Sequence, residues 1–235
     1  MKWTDRSTMT EPNWTSKSNW AYASEMPTKL RTDPPRLTTR GAVTRARIVA
    51  GAAELVYARG IAGTSLDDIM AATGTSKSQL YHYFADKDAL VLEVIRSQLA
   101  KVIAGQETQL RELRSWDGLQ RWGDHVVEAT RATGGVGGCP LGSLSSQVAD
   151  RSESARRVLA DCFAEWEGYL CDGFTAMRAN GDLSADADPR LLATSVMAAL
   201  QGGLLLSQAT HGVQPLELAL DMALGHIRRY RPSSS

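Results

Sequence analysis

Cysteine and phenylalanine are scarce in this chain of 235 residues, and neither sign of charge is in excess. The three cysteines, Cys139, Cys162 and Cys171, form no CxxC pair and no zinc-ligand spacing. A sparse, odd set fits a reducing compartment better than a disulfide framework. The 26 Lys and Arg balance 26 Asp and Glu, which excludes a globally basic binder but not a local basic patch. No run of 18 or more apolar residues occurs, and no continuous apolar segment opens the chain. Neither a membrane span nor a secretory leader is therefore expected, and a cytoplasmic protein is. Aromatics make up only 6%, while Ala and Leu dominate the 43% that is hydrophobic. That balance favours helices over strands.

The residues that are present are unevenly spread. Residues 1–90 hold 12 Lys and Arg against 9 Asp and Glu, and the remainder reverses the sign. Anion binding is expected in the first half. Residues 1–39 are rich in Ser and Thr, carry half of the eight prolines and three scattered tryptophans, and show no periodicity. They read as a disordered tail; a start of translation at Met26 explains the same composition. Lys29, Arg31, Arg36, Arg40, Arg45 and Arg47 then form a basic arm, suited either to lie along phosphates or to act as a solvated linker.

Residues 44–59 form an amphipathic helix, with Ile48, Ala52, Leu55 and Val56 on one stripe and Gly60 as its stop. A short helix opens at Ser65, with Asp68 completing a capping-box pattern, places Leu66, Ile69 and Met70 inward and ends at Gly74. Ser76 opens a third, with Gln79 at the matching position. Leu80 and Phe84 point inward, leaving Lys77, Ser78, Tyr81, His82 and Tyr83 outward. Helix, glycine turn and helix make a helix-turn-helix, whose second helix has the narrow polar tip that a major groove admits. An ordinary three-helix core with surface tyrosines satisfies the same periodicity.

The run Gly-x-Ser-x-x-x-Leu-Tyr-x-Tyr-Phe-x-x-Lys (74–87), with 47–55 before it and AspLysAspAlaLeu (86–90) at its end, resembles the TetR family of bacterial transcriptional repressors. The resemblance covers about a fifth of the chain. It implies that Thr75, Ser76, Lys77, Ser78 and Gln79 begin a recognition helix in which Lys77 reaches a base edge, guanine O6/N7 being the favoured acceptor. It implies phosphate or groove-wall roles for Tyr81 and Tyr83, and a backbone-phosphate role for Lys87. Ser65 is expected to offer its N–H to a phosphate, and Arg45 and His82 complete the expected DNA-contacting set.

Residues 88–104 continue as a linking helix, followed by helical stretches at 116–132, 141–149, 154–179, 189–210 and 215–230. Pro189 and Pro215 fall in first turns, where a missing N–H costs nothing. The chain thus reads as all-α, with about nine helices in three parts. These are the tail (1–39), a helix-turn-helix DNA-binding domain (40–87) and a larger ligand-binding and dimerisation domain (88–231). The last two helices carry a surplus of apolar residues, among them Val196, Leu200, Leu205, Leu218, Met222 and Leu224. Either a homodimer through these helices or a plain internal core absorbs them. The expected partners are double-stranded operator DNA, a second copy and an unknown small-molecule effector.

Mixed polar and aromatic character between the middle helices selects Trp122, His125, Trp166, Phe174, Met177 and Gln201 as pocket candidates, each also consistent with plain core. GlyGlyValGlyGlyCysProLeuGly (134–142) is no phosphate loop, since no Gly-Lys-Ser/Thr follows; its core resembles a motif of the LmrA/YxaF-like group of regulatory domains. Pro140 puts Cys139 near a helix N-terminus, which can depress a thiol pKa and make it redox-active, or leave it a small buried hydrophobe. No HExxH, GxSxG or calcium-loop pattern occurs, so no catalytic residue, metal or cofactor is expected. The function expected is a repressor released from its operator by a bound small molecule. A thiol-based redox or electrophile sensor acting through Cys139, and a helical ligand-binding protein without operator binding, are the alternatives.

Overall fold

The structure, a computed structural model, describes residues 38–232. The readings placed on the first 37 residues, namely the disordered tail, the start at Met26 and the arm residues Lys29, Arg31 and Arg36, lie outside the described residues. Among the described residues there are ten α-helices and no strand. They are α1 (Thr39–Arg59), α2 (Leu66–Thr73), α3 (Lys77–Tyr83), α4 (Lys87–Ala104), α5 (Glu107–Glu112), α6 (Trp116–Ala132), α7 (Pro140–Val148), α8 (Glu153–Ala179), α9 (Pro189–Thr210) and α10 (Gln214–Ile227). A 3₁₀ turn, Arg228–Tyr230, follows α10. Nine of the helices follow the expected stretches. The addition is α5, whose six residues are too few to show a periodic stripe.

Local chemistry explains the helix ends. α1 starts five residues ahead of the expected start at position 44 because the Thr38 hydroxyl accepts from Gly41 N at 3.2 Å. Both expected capping boxes form, Ser65 with Asp68 on α2 and Ser76 with Gln79 on α3. Gly74 ends α2 in the left-handed region (φ 58°), where a side chain would be strained. Pro140 and Pro189 stand at first turns, capped by Cys139 and Asp188.

The head, α1 to α3, closes over Ile48, Ala52, Val56, Ile69, Leu80 and Phe84, all almost fully buried. α4 belongs to both halves. Its buried face packs against α1 on one side and α8 on the other. Arg45 of α1 is drawn onto it by Glu93 at 2.6 Å and by the Phe84 ring, 5.3 Å from the guanidinium carbon. α8, 27 residues long, runs beside α4, α5, α7 and α9, and α9 packs against α10.

By length and composition alone α9 could cross a membrane. Its buried face is instead spent on α8 and α10, through Leu192, Ala193, Val196, Met197, Leu200 and Leu204. Its other face keeps Leu191, Leu205 and Leu206 more than half exposed, and α10 adds Leu218 and Met222 in the same state. The apolar surplus read from the sequence thus divides into an internal core and an uncovered face.

Leu80 is the fully buried anchor of α3. Leu80→Ala is expected to destabilise the protein by about 2–5 kcal/mol, read as a lowered midpoint in urea unfolding. A midpoint matching the parent would mean that α3 is not held by this side chain.

Candidate functional site

α3 presents a polar face without a carboxylate. Ser76, Lys77, Ser78, Gln79, Tyr81 and His82 are all exposed, with Leu80 alone facing inward from the same helix. Tyr83 is half-buried, its ring meeting that of His82 edge-on at 4.9 Å. Two of these groups have employment of their own. Ser76 Oγ accepts from Gln79 N, while Gln79 Oε1 accepts from Ser76 N at 3.1 Å, leaving the Gln79 amide N–H₂ free to turn outward. Lys77 extends from this tip without an ion-pair partner among the described residues.

Other expected contacts also take part in bonds within the head and onto α4. Thr75 is 5% exposed and shares its hydroxyl with Thr73 Oγ1 at 2.9 Å, so its side chain shapes the turn. Lys87 Nζ donates to Ile61 O at 2.6 Å, tying the start of α4 to the loop between α1 and α2. Arg45 faces Glu93 and Phe84. Arg47 donates to Thr73 O and so holds α1 to the end of α2. Ser65 stays exposed while capping α2. Asp68, which carries the wrong sign for a DNA surface, accepts from the Ser65 hydroxyl and N–H and faces Arg59 at 3.7 Å. Those hydrogen bonds, with the nearby guanidinium, hold its carboxyl below the ordinary range.

The body contains an open cavity of about 340 Å³ lined by α4, α6, α8, α9 and the glycine-rich loop, with Tyr57 of α1 also in its wall. Among the six pocket candidates, His125 and Trp166 line it. His125 Nε2 lies 2.9 Å from Gly105 O, and a carbonyl only accepts, so this nitrogen carries the proton. Trp122 is fully buried and spends its indole N–H on Gln106 Oε1 at 2.8 Å. Phe174 and Met177 are fully buried further along α8 and are core side chains. Gln201 sits behind Cys139, within hydrogen-bonding reach of it. Helical spacing puts Trp166, Phe174 and Met177 on one stripe of α8, but the cavity reaches only the first of them.

Trp166 differs from the other described tryptophans. Trp116 Nε1 donates to Asp182 O and Trp122 Nε1 to Gln106, whereas Trp166 Nε1 is buried with no acceptor among the described residues. Leaving such a donor unpaired costs about 1–3 kcal/mol.

Cys139 caps α7 as its place before Pro140 suggests, with Gly142 N donating to Sγ at 3.4 Å. Of the two alternatives read from the sequence, the lowered pKa does not follow. Burial pushes the thiol up, and this outweighs the opposing hydrogen bonds from Gly142, Leu141 and Gln201. At neutral pH the group is a protonated, 7% exposed hydrophobe, not a poised thiolate. Iodoacetamide should alkylate Cys139 of the native protein more slowly than the half-exposed Cys171, as read by peptide mass spectrometry. Faster labelling of Cys139 would restore a reactive thiol.

Two contacts link cavity and head. Gly137 (φ 97°) lies so close to the Tyr57 hydroxyl that a Cβ there would overlap it. On α7, Gln147 Oε1 accepts from Ile61 N at 2.7 Å across 86 residues of chain. A second cavity, about 350 Å³, lies between α1, α4 and α7 and shares Tyr57, Val136, Gly137 and Pro140 with the first. Tyr57 gives one sequence hint, an aromatic off the apolar stripe of α1. Gln147 gives none.

Comparison with known proteins agrees with this division. The family described as bacterial regulatory proteins, tetR family, matches residues 48–94, and the tetracyclin repressor-like C-terminal domain matches residues 117–223. An uncharacterized HTH-type transcriptional regulator in the lacX 3' region of Lactococcus lactis is 27% identical over 76% of this chain and 90% of its own length. The HTH-type regulator YxaF of Bacillus subtilis is 26% identical over 77% and 93%. The crystal structure of a TetR transcriptional regulator from Chloroflexus aurantiacus superposes with a TM-score of 0.72 and 27% identity, covering 84% of this chain and all of the other. Similarity thus extends across head and body together, and the chain belongs to the TetR family of bacterial transcriptional regulators.

Proposed function

We propose that this chain represses transcription in the cytoplasm by holding operator DNA as a two-fold dimer, and releases it when a small molecule fills the cavity beside the glycine-rich loop. The observation that carries this reading is the double use of one segment. The loop walls the cavity and meets Tyr57 of the head, and α7, which continues it, is hydrogen-bonded to the head through Gln147. A molecule that displaces the loop changes where α1 sits relative to the body. Binding free energy in the cavity then biases the separation of the two recognition helices, which must lie about 34–36 Å apart to read successive major grooves.

The dimer surface is assigned to the uncovered face of α9 and α10. Leu205, Leu206, Leu218 and Met222 are more than half exposed there, and a side chain added at Gly202 or Gly225 would meet nothing. Aliphatic side chains interspersed with small residues allow close approach of helices from a second copy, as in an intermolecular four-helix bundle. Replacing both Leu205 and Met222 with Glu is expected to yield monomers by analytical ultracentrifugation, with loss of tight operator binding. A double variant that remains dimeric would move the interface elsewhere.

On DNA, the exposed tip of α3 supplies base contacts, with Lys77 foremost and Ser78, Gln79 and His82 beside it, and Ser65, Ser76, Tyr81, Tyr83 and Lys87 serve the backbone or the groove wall. Anisotropy titrations against the DNA upstream of the chain's own gene, at two salt concentrations, test this. Lys77→Ala is expected to relax base preference while leaving the melting temperature unchanged. Lys87→Ala is expected to weaken binding to all sequences about equally and to lower the salt slope by about one. It should also lower the melting temperature, because it releases Ile61 O. Equal losses on operator and random DNA from both variants would overturn these roles.

A further inference from the structure

Trp166 carries the buried side-chain polar atom that, among the described residues, is left over beside the effector cavity once the protein's own hydrogen bonds are assigned. Its ring is 3% exposed, it lines the cavity, and its N–H has no acceptor among the described residues. Three of the polar side chains around it are otherwise engaged. Gln106 serves Trp122 and Val102 O, Thr130 donates to Val126 O, and His125 Nε2 is committed to Gly105 O. No Asp or Glu lines this cavity, whereas Lys101 lies at its edge. A cation entering here would find no carboxylate to offset its lost hydration, while an acceptor would find a ready donor.

We infer that the effector is an apolar, uncharged or anionic molecule whose carbonyl or carboxylate oxygen accepts a hydrogen bond from Trp166 Nε1–H. Val102, Val126, Leu200 and Leu204 give the apolar lining for the remainder of such a molecule. The donor is carried by α8 and meets no acceptor among the described residues. The acceptor gains a partner without displacing an existing bond, and this makes discrimination against a ligand lacking the oxygen large. Trp166 would therefore be a specificity-determining residue of the cavity, which no short motif in the chain marks. The inference rests on the reading of this cavity as the effector site.

Four naphthalenes of similar shape separate the contributions in calorimetric titrations with the full-length protein: 2-acetonaphthone, 2-naphthoate, 2-ethylnaphthalene and 2-naphthylmethylammonium. The ketone and the carboxylate are expected to bind about tenfold more tightly than 2-ethylnaphthalene, and the ammonium compound more weakly than all. Trp166→Phe keeps the ring packing and removes the N–H. It should erase the preference for the ketone while leaving 2-ethylnaphthalene within about twofold of the parent. The indole N–H resonance that disappears in Trp166→Phe should also move on adding 2-acetonaphthone to the parent protein. A preference for the oxygen that survives in Trp166→Phe, tight binding of the ammonium compound, or no binding of any of the four would each overturn the inference. None of these titrations contains DNA, so a failure of operator release would count against the regulatory reading alone.

Discussion

Between a tyrosine hydroxyl on the reading head and a glycine that has no side chain to meet it, the two halves of the molecule come into contact. Tyr57 belongs to α1, and Gly137 belongs to the loop that walls the body's cavity. A left-handed backbone and the missing Cβ are both required there, and only glycine supplies them together. The loop then runs directly into α7, where Gln147 takes up Ile61 N. A shift at the cavity wall therefore has two short routes to α1, and both arise from one segment of chain. α4 gives a third connection, packed on α1 at one end and on α8 along its length.

Buried polar groups divide the body into a settled part and an open one. Trp122 and Gln106 satisfy each other in full burial and rigidify the α4–α6 side. Trp166, on the opposite wall, has no such partner. The contrast argues against careless packing, because the chain finds an acceptor for each of the other described indoles. Cys139 shows the same competition between burial and polar contact with the other outcome. Placed where a helix N-terminus would favour a thiolate, it is kept protonated by the apolar surroundings that bury it.

α9 is apolar on two sides, of which the chain covers one. A surface helix needs a single apolar stripe, and one that is apolar nearly all round must be covered on both sides. Its inner side meets α8 and α10, and its outer side presents leucines separated by Ala198 and Gly202. Regulators of this family act as dimers, and the proposed two-fold arrangement would cover this outer side.

The head was almost wholly legible in the sequence, because its determinants are local. Capping boxes at Ser65 and Ser76, the glycine at position 74 and the inward pair Leu80 and Phe84 act within one or two helical turns, and each is seen in the structure as its spacing suggests. The apolar stripes of the body were legible for the same reason, and the short α5 was not, having too few residues for a period. Which side chains line the cavity was decided only by the fold. Trp166, Phe174 and Met177 are equivalent by helical spacing, yet α6, α9 and the glycine-rich loop converge on Trp166 alone. Lys87 was recognisable as a lysine of the motif, but its bond to Ile61 O depends on where the α1–α2 loop comes to rest. Local sequence determines helices and their ends because those hydrogen bonds span three or four residues. Cavities, orphaned donors and links between domains depend on distances across the chain, and only tertiary packing sets those.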